Sequence, residues 1–122
     1  MTQLESSGDT SWAIAEHTEK ILNGMSTNLD EGDYLVLFDA YATFEQVEYD
    51  YYLKLGGVEV ANTRKKEGDS NSPTPGSNDF GFNKVISAPA GGALLEVAIT
   101  TILVAISAFD VKKSNLIILK LS

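Results

Sequence analysis

The sequence predicts an all-β fold, a sandwich of two antiparallel sheets. Residues 33–44 (DYLVLFDAYATF) and 47–55 (VEYDYYLKL) follow the two-residue period of extended strands, in which successive side chains point to opposite faces. Breaker residues such as Gly56-Gly57 separate the strands, and an aliphatic strand at 116–121 closes the chain. About eight to ten short strands can be placed, which fits a two-sheet jelly roll.

Length and composition predict one domain. The chain has 122 residues, of which 43% are hydrophobic, enough for a substantial core. It contains no cysteine and a single histidine, His17, which excludes a disulfide framework and multi-histidine metal sites. We expect residues 1–11 (MTQLESSGDTS) to form a flexible polar arm and residues 12–122 to form the jelly roll.

The charge distribution argues against nucleic acid as a partner. Residues 1–50 hold eleven acids against one lysine, and the remainder holds eight bases against six acids, for a total of −8. Such a chain repels phosphate backbones. No signal peptide or membrane span is recognised, so we expect a protein that stays in the cytosol where it is made or is assembled there.

The segment after the arm allows two interpretations. Trp12 and Ile14 alternate with small residues as in a short strand, whereas residues 11–22 can also be drawn as an amphipathic helix. We favour the strand.

Residues 33–44 are apolar on both faces. Tyr34, Val36 and Phe38 share one face, which we assign to the core, and Leu35, Leu37 and Tyr41 share the other. A strand with one wet face alternates apolar and polar residues, so both faces of this strand are predicted to be covered. A second copy of the chain is the simplest cover for the second face, and loops or the N-terminal segment are the alternative.

The final strand repeats this pattern. Ile117, Leu119 and Leu121 share one face, and Leu116 and Ile118 share the other with Lys120. We predict a subunit contact formed by the non-core faces of the two strands, with the following residues: Leu35, Leu37, Tyr41, Leu116 and Ile118.

The segments between these two strands have simpler patterns. Residues 47–55 are apolar on one face only, which predicts a wet outer face. Residues 67–79 (EGDSNSPTPGSND) are rich in breakers and predict a long exposed loop, and residues 112–115 predict a turn.

No catalytic constellation is present in the sequence. Carboxylates cluster in turns rather than in a recognisable acid/base pair, and His17 lacks a nucleophile motif. Asp30, Glu31 and Asp33 could supply oxygens to Ca²⁺, but turn chemistry explains them better than an ion site does. We therefore expect no cofactor, no metal and no enzymatic turnover.

Four segments resemble the tumour-necrosis-factor/C1q-like jelly rolls that recur in virion proteins of tailed bacteriophages. They are 31–38 (EGDYLVLF), 52–60 (YLKLGGVEV), 92–97 (GALLEV) and 115–121 (NLIILKL), and their order carries the likeness. The resemblance implies a homotrimer around a threefold axis. In such a trimer the inner sheet, which includes the early long strand and the final strand, packs against neighbouring copies. Such relatives usually carry a stalk, which this sequence lacks.

Among such proteins, size and the polar arm favour a capsid cement or decoration protein on the capsid surface of a virion assembled in the host cytoplasm. Its partner would be the major capsid protein, contacted by the arm residues Thr2, Gln3, Leu4 and Glu5. The alternative is a trimeric fibre or tail head that binds a glycan or host receptor through loop 67–79. A cupin-like enzyme is disfavoured because one histidine cannot build the usual metal site.

Overall fold

The computed structural model describes residues 1–7, 10–12, 18–45, 47–69, 76–104 and 109–122. These residues form ten strands: β1 (Thr2–Ser6), β2 (Thr10–Trp12), β3 (Glu19–Leu29), β4 (Gly32–Phe44), β5 (Val47–Leu55), β6 (Val58–Glu59), β7 (Lys65–Asp69), β8 (Gly76–Ala88), β9 (Ala93–Val104) and β10 (Phe109–Lys120).

The strands form two antiparallel sheets. Sheet A has the order β1-β10-β4-β8, with β2 also paired to β10, and sheet B has the order β3-β9-β5-β6, with β7 also paired to β5. Early strands therefore pair with late ones, β1 with β10, β3 with β9 and β4 with β8, around the central β5–β6 hairpin. This is one long antiparallel hairpin rolled into two sheets, which confirms the predicted jelly-roll sandwich.

The turns fit the residues that make them. Gly56 and Gly57 connect β5 to β6 with φ angles of 61° and 81°, values that a hairpin turn of this kind requires and that glycine adopts without strain. Asp30 and Glu31 connect β3 to β4, and residues 89–92 connect β8 to β9. All three turns lie at the same end of the sandwich, which we call the short-turn end.

Aromatic side chains from both sheets fill the core. Phe38 on β4 lies 5.4 Å from Phe82 on β8 and 6.4 Å from Tyr51 on β5, measured between ring centroids. Tyr49 stacks on Phe109 at 4.4 Å. The Tyr51 hydroxyl has a partner of its own: it donates a hydrogen bond to the Gly81 carbonyl on β8 over 3.2 Å. Rings from sheets A and B thus interdigitate, as in other two-sheet cores.

The N-terminal segment differs from the predicted flexible arm. Thr2–Ser6 pair antiparallel with β10, from Thr2 opposite Ile118 to Ser6 opposite Ser114. Leu4 is half-buried against the core. The polar sequence gave no sign of this strand, because an edge strand exposed on one side needs few apolar residues.

Two predicted connections are also strand. Residues 112–115 lie inside β10, which absorbs the polar stretch through a register shift between Val111 and Lys113 instead of turning. Of the predicted loop 67–79, residues 67–69 belong to β7 and residues 76–79 belong to β8. Residues 70–75 of this loop lie outside the described residues. The same holds for residues 13–17, which include Ile14 and His17. The choice between strand and helix for residues 12–22 can therefore be checked only at β2 and at the start of β3, both of which are strand.

Phe38→Ala tests the aromatic core. Removing a ring that packs between both sheets should lower the free energy of unfolding by about 3–5 kcal/mol. Asn83→Ala, on the exposed face of β8, should change it by less than about 0.5 kcal/mol. Urea denaturation measures both, and equal effects of the two substitutions would contradict this packing.

Candidate subunit interface

The outer face of sheet A carries an apolar band. Across the sheet, Val85 on β8 lies opposite Leu35 on β4, and Leu35 lies opposite Leu119 on β10. In the next row Leu37 lies opposite Ile117. Leu35, Leu37, Ile117 and Leu119 are partly exposed, and Val85 is 65% exposed. We call these five residues the apolar band. No described strand packs over it.

Two of the predicted contact residues lie on the wrong face. Leu116 pairs with Phe38 and Ile118 pairs with Val36, so their side chains point into the core, where their exposures are 0% and 2%. The prediction that they lie on the outer face is wrong; Ile117 and Leu119 occupy it. Leu35, Leu37 and Tyr41 do lie on the outer face, as expected.

The periodicity of residues 116–121 alone could not decide this. Both faces are aliphatic, and the one polar residue, Lys120, has the parity of the core face. Lys120 is tolerated there because it lies at the end of the strand, with its ammonium 5.8 Å from the ring of Tyr34. The pairing of β10 with β4 decides the question. The core face of β4 was assigned correctly, and Leu116 and Ile118 lie opposite residues of that face.

Beyond the apolar band, the same face becomes polar. Asp39 lies opposite Asn115, and Asn115 lies opposite Glu5 on β1. The Gln3 amide donates hydrogen bonds to Asn115 and Glu5 over 3.2 and 2.9 Å. Gln3 and Glu5, predicted as part of a capsid-binding arm, are therefore ordered on this face. The polar rows border an open groove of about 720 Å³ across β1, β10 and β4.

Ion pairs cover the middle of the outer face of sheet B. Arg64 holds Asp50 with an Nη1–Oδ2 distance of 2.7 Å and Glu59 with an Nη2–Oε1 distance of 2.6 Å. Its guanidinium lies 4.0 Å from the ring centroid of Tyr52. The hydrogen bond from Arg64 is the main reason that the pKa of Glu59 is lowered. One arginine thus organises the middle of this face.

A second group of residues extends this cover to β3 and β9. Lys54 Nζ lies 2.7 Å from Glu19 Oε1. The Tyr52 hydroxyl donates to Glu19 Oε2 over 2.6 Å and also contacts Thr100. Hydrogen bonds from Lys54 and then from Tyr52 lower the pKa of Glu19, and burial raises the pKa of Tyr52 to about 12.

This cover corrects the predicted wet face of β5. Asp50 and Tyr52 point outward, as their parity requires, yet they are 9% and 1% exposed. Sequence alternation identified them as outward-facing. It could not show that Arg64, fourteen positions from Asp50, folds back over them.

Neither metal nor membrane features appear in the described part of the chain. No group of three or more His, Asp or Glu side chains could hold a metal ion there. Asp33, one of the three candidate Ca²⁺ ligands, accepts hydrogen bonds from Ser87 and Ser122 over 2.6 and 3.3 Å. Within the same residues no helix has the length and apolar character to cross a membrane.

Comparisons with known proteins show the fold. No protein-family model and no curated protein matches the chain. Among solved structures, it is similar to the VP2 subviral particle of infectious bursal disease virus (TM-score 0.62, 15% identity, 96% of this chain and 31% of the other).

Structures of two strains of the same virus, Gt and Gx, also match. Each has a TM-score of 0.64, with identities of 14% and 13% over 98% and 99% of this chain. The chain spans about a third of the length of these neighbours: 32% of the chain from the Gt strain and 33% of the chain from the Gx strain. The neighbours are viral, but they belong to infectious bursal disease virus, whereas the sequence resemblance concerned tailed bacteriophages.

The charges on sheet B predict a loss of stability in acid. A carboxylate whose pKa is lower in the folded state than in the unfolded state stabilises the folded protein at pH values above the unfolded pKa, here 4.5. This contribution is lost as the pH falls through the folded pKa. Glu59→Gln should lower the free energy of unfolding at pH 7 by about 0.2–1 kcal/mol, because the pair is partly exposed. It should also flatten the decline of stability below pH 4.5.

Glu31→Gln is the matched control, since the Glu31 side chain has no partner among the described residues. It should leave the free energy of unfolding at pH 7 unchanged. Urea titrations at a series of pH values measure these effects. A Glu59→Gln variant with the stability and acid profile of the wild type would show that the pair contributes nothing.

Proposed function

We propose that this chain is a non-enzymatic structural protein of a virion that assembles as a homotrimer through the outer face of sheet A. The observation that carries the proposal is the contrast between the two outer faces. Sheet B covers the middle of its outer face with its own ion pairs, whereas sheet A leaves the apolar band open. Contiguous exposed apolar surface of this kind is typical of protein contacts.

The number of copies rests on the sequence resemblance. Tumour-necrosis-factor/C1q-like jelly rolls form trimers with their inner sheet at the axis, and here β4 and β10 are neighbours in sheet A. The proposed contact consists of Leu35, Leu37, Ile117 and Leu119, with Val85 and Tyr41 beside them. Burying these residues in a trimer removes their apolar surface from water. Each Å² buried stabilises the trimer by about 25 cal/mol.

The proposed role is that of a capsid cement or decoration protein, which binds the major capsid protein at the capsid surface. The similarity to proteins of a virus particle supports a place in a virion. The proposed capsid contact through Thr2, Gln3, Leu4 and Glu5 now involves an ordered edge strand. An edge strand keeps backbone donors and acceptors on its free side, where a neighbouring chain can pair.

Acidic substitutions on the two faces of sheet A distinguish the proposed contact from the core. Ile117→Asp and Leu37→Asp should give folded monomers, because a carboxylate cannot be buried without a partner. Ile118→Asp should unfold the chain, since its side chain points into the core. Analytical ultracentrifugation and circular dichroism distinguish the two results.

Asn83→Asp is the control for added charge. Asn83 lies opposite Leu37 but is already polar and exposed, so this variant should remain a trimer. A wild-type protein that sediments as a monomer at micromolar concentration, or an Ile117→Asp variant that keeps the wild-type mass, would contradict the proposed interface.

A further inference from the structure

The sequence contains one Asn-Gly dipeptide, Asn23-Gly24, and the structure places it in a bulge of β3. Between Ile21 and Ser26, five positions along β3 span only the two positions of β9 from Ala98 to Glu96. The residues between Ile21 and Ser26 have no register partner on β9. Extra residues of this kind stand outside the ladder and bend their strand.

Two buried side chains anchor the bulge on either side of the dipeptide. Leu22 and Met25 are 1% and 0% exposed and belong to the core, whereas Asn23 and Gly24 are exposed. In a regular strand, positions 22 and 25 would point to opposite faces. The bulge turns both inward and pushes the dipeptide between them out to water. Gly24 has a φ of 77°, which glycine adopts without steric cost.

The bulge also closes one side of the sandwich. The Asn23 backbone amide donates a hydrogen bond to the hydroxyl oxygen of Thr10 on β2 over 3.0 Å, and Thr10 is buried. A β-carbon on Gly24 would lie 3.4 Å from the β-carbon of Ser6, at the end of β1. The dipeptide therefore lies where the edge of sheet B meets both N-terminal strands of sheet A.

An Asn-Gly pair carries its own electrophile and nucleophile. The Gly24 backbone nitrogen attacks the side-chain carbonyl carbon of Asn23, so that a nitrogen–Cγ bond forms and the Cγ–Nδ2 bond breaks. Ammonia leaves with the proton from the Gly24 nitrogen, and a five-membered succinimide ring remains. Water then opens the ring at either carbonyl and gives aspartate or isoaspartate at position 23. Water is the sole co-reactant, and glycine has no β-carbon to crowd the attack.

The bulge exposes the dipeptide to this reaction in the folded protein. A paired strand holds its backbone amides in the ladder and keeps the chain extended, which disfavours closure of a small ring. A bulge in an edge strand can open locally without unfolding of the whole sheet. Asn83 differs in this respect: it is exposed too, but it lies in the unbroken ladder between β8 and β4 and is followed by Lys84.

We propose that Asn23 is a site of spontaneous deamidation in the native protein, and that the products loosen the contact between β3 and the N-terminal strands. Isoaspartate adds a backbone methylene group between the buried anchors Leu22 and Met25, so both can no longer keep their places in the core. Either product adds a negative charge to a chain whose net charge is already −8. This inference is independent of the proposed function and of the number of copies.

The test is peptide mapping by mass spectrometry of the native protein after incubation at neutral pH. Position 23 should convert from amide to acid at least tenfold faster than position 83 in the same sample, with aspartate and isoaspartate both formed. Asn23→Gln should show no such conversion, because its longer side chain cannot close the five-membered ring. A free peptide with the sequence of residues 21–27 (ILNGMST) is the unprotected reference. If that peptide reacts and the native protein does not, the bulge protects the dipeptide and the proposal is wrong.

Urea denaturation tests the structural consequence. Incubated wild-type protein should unfold at a lower urea concentration than fresh protein, whereas Asn23→Gln incubated for the same time should keep its midpoint. Asn23→Asp carries the charge without the added methylene group, so its midpoint should lie between those of fresh and fully converted protein. Fully converted protein with the midpoint of fresh protein would show that the bulge tolerates the change and would overturn the proposed loosening.

Discussion

The structure depends on one geometric constraint: a two-sheet sandwich buries only one face of each sheet. The inner faces meet in an aromatic core, in which Phe38 and Phe82 from sheet A face Tyr49 and Tyr51 from sheet B. Each outer face then needs its own solution. Sheet B uses Arg64 to cover Asp50 and Tyr52, whereas sheet A carries the apolar band without any cover from the described chain. The proposed contact between copies follows from this difference, because burying the band against a second copy removes it from water.

The parts that could be predicted from sequence are those in which local pattern and tertiary environment agree. The two-residue period of β4 identified Tyr34, Val36 and Phe38 as core residues, and the Gly56-Gly57 turn identified the central hairpin. Both signals arise from a few neighbouring residues, so they do not depend on contacts with distant parts of the chain.

The errors occurred where the decisive partner is distant in the chain. The faces of β10 are both aliphatic, and only its register with β4 places Leu116 and Ile118 inside. Similarly, β1 is polar and gains its strand conformation from β10, more than a hundred residues away. The bulge at Lys112 has the same origin, since a polar stretch that would turn in isolation is held straight by pairing on both sides. The outer-face position of Leu37 was predictable, but its partner in the opposite strand, Ile117, was not.

The similarity to viral particle proteins at about 13–15% identity reflects a shared chain path, and the same path serves many functions. The proposed function therefore depends on the outer face of sheet A. The chain has no cysteine, so a single Leu37→Cys substitution gives one thiol whose labelling rate can be followed. If a second copy covers this face, labelling should be slow at high protein concentration and accelerate on dilution as the oligomer dissociates. A fast labelling rate that does not change with concentration would show that the apolar band faces solvent and would contradict the proposed interface.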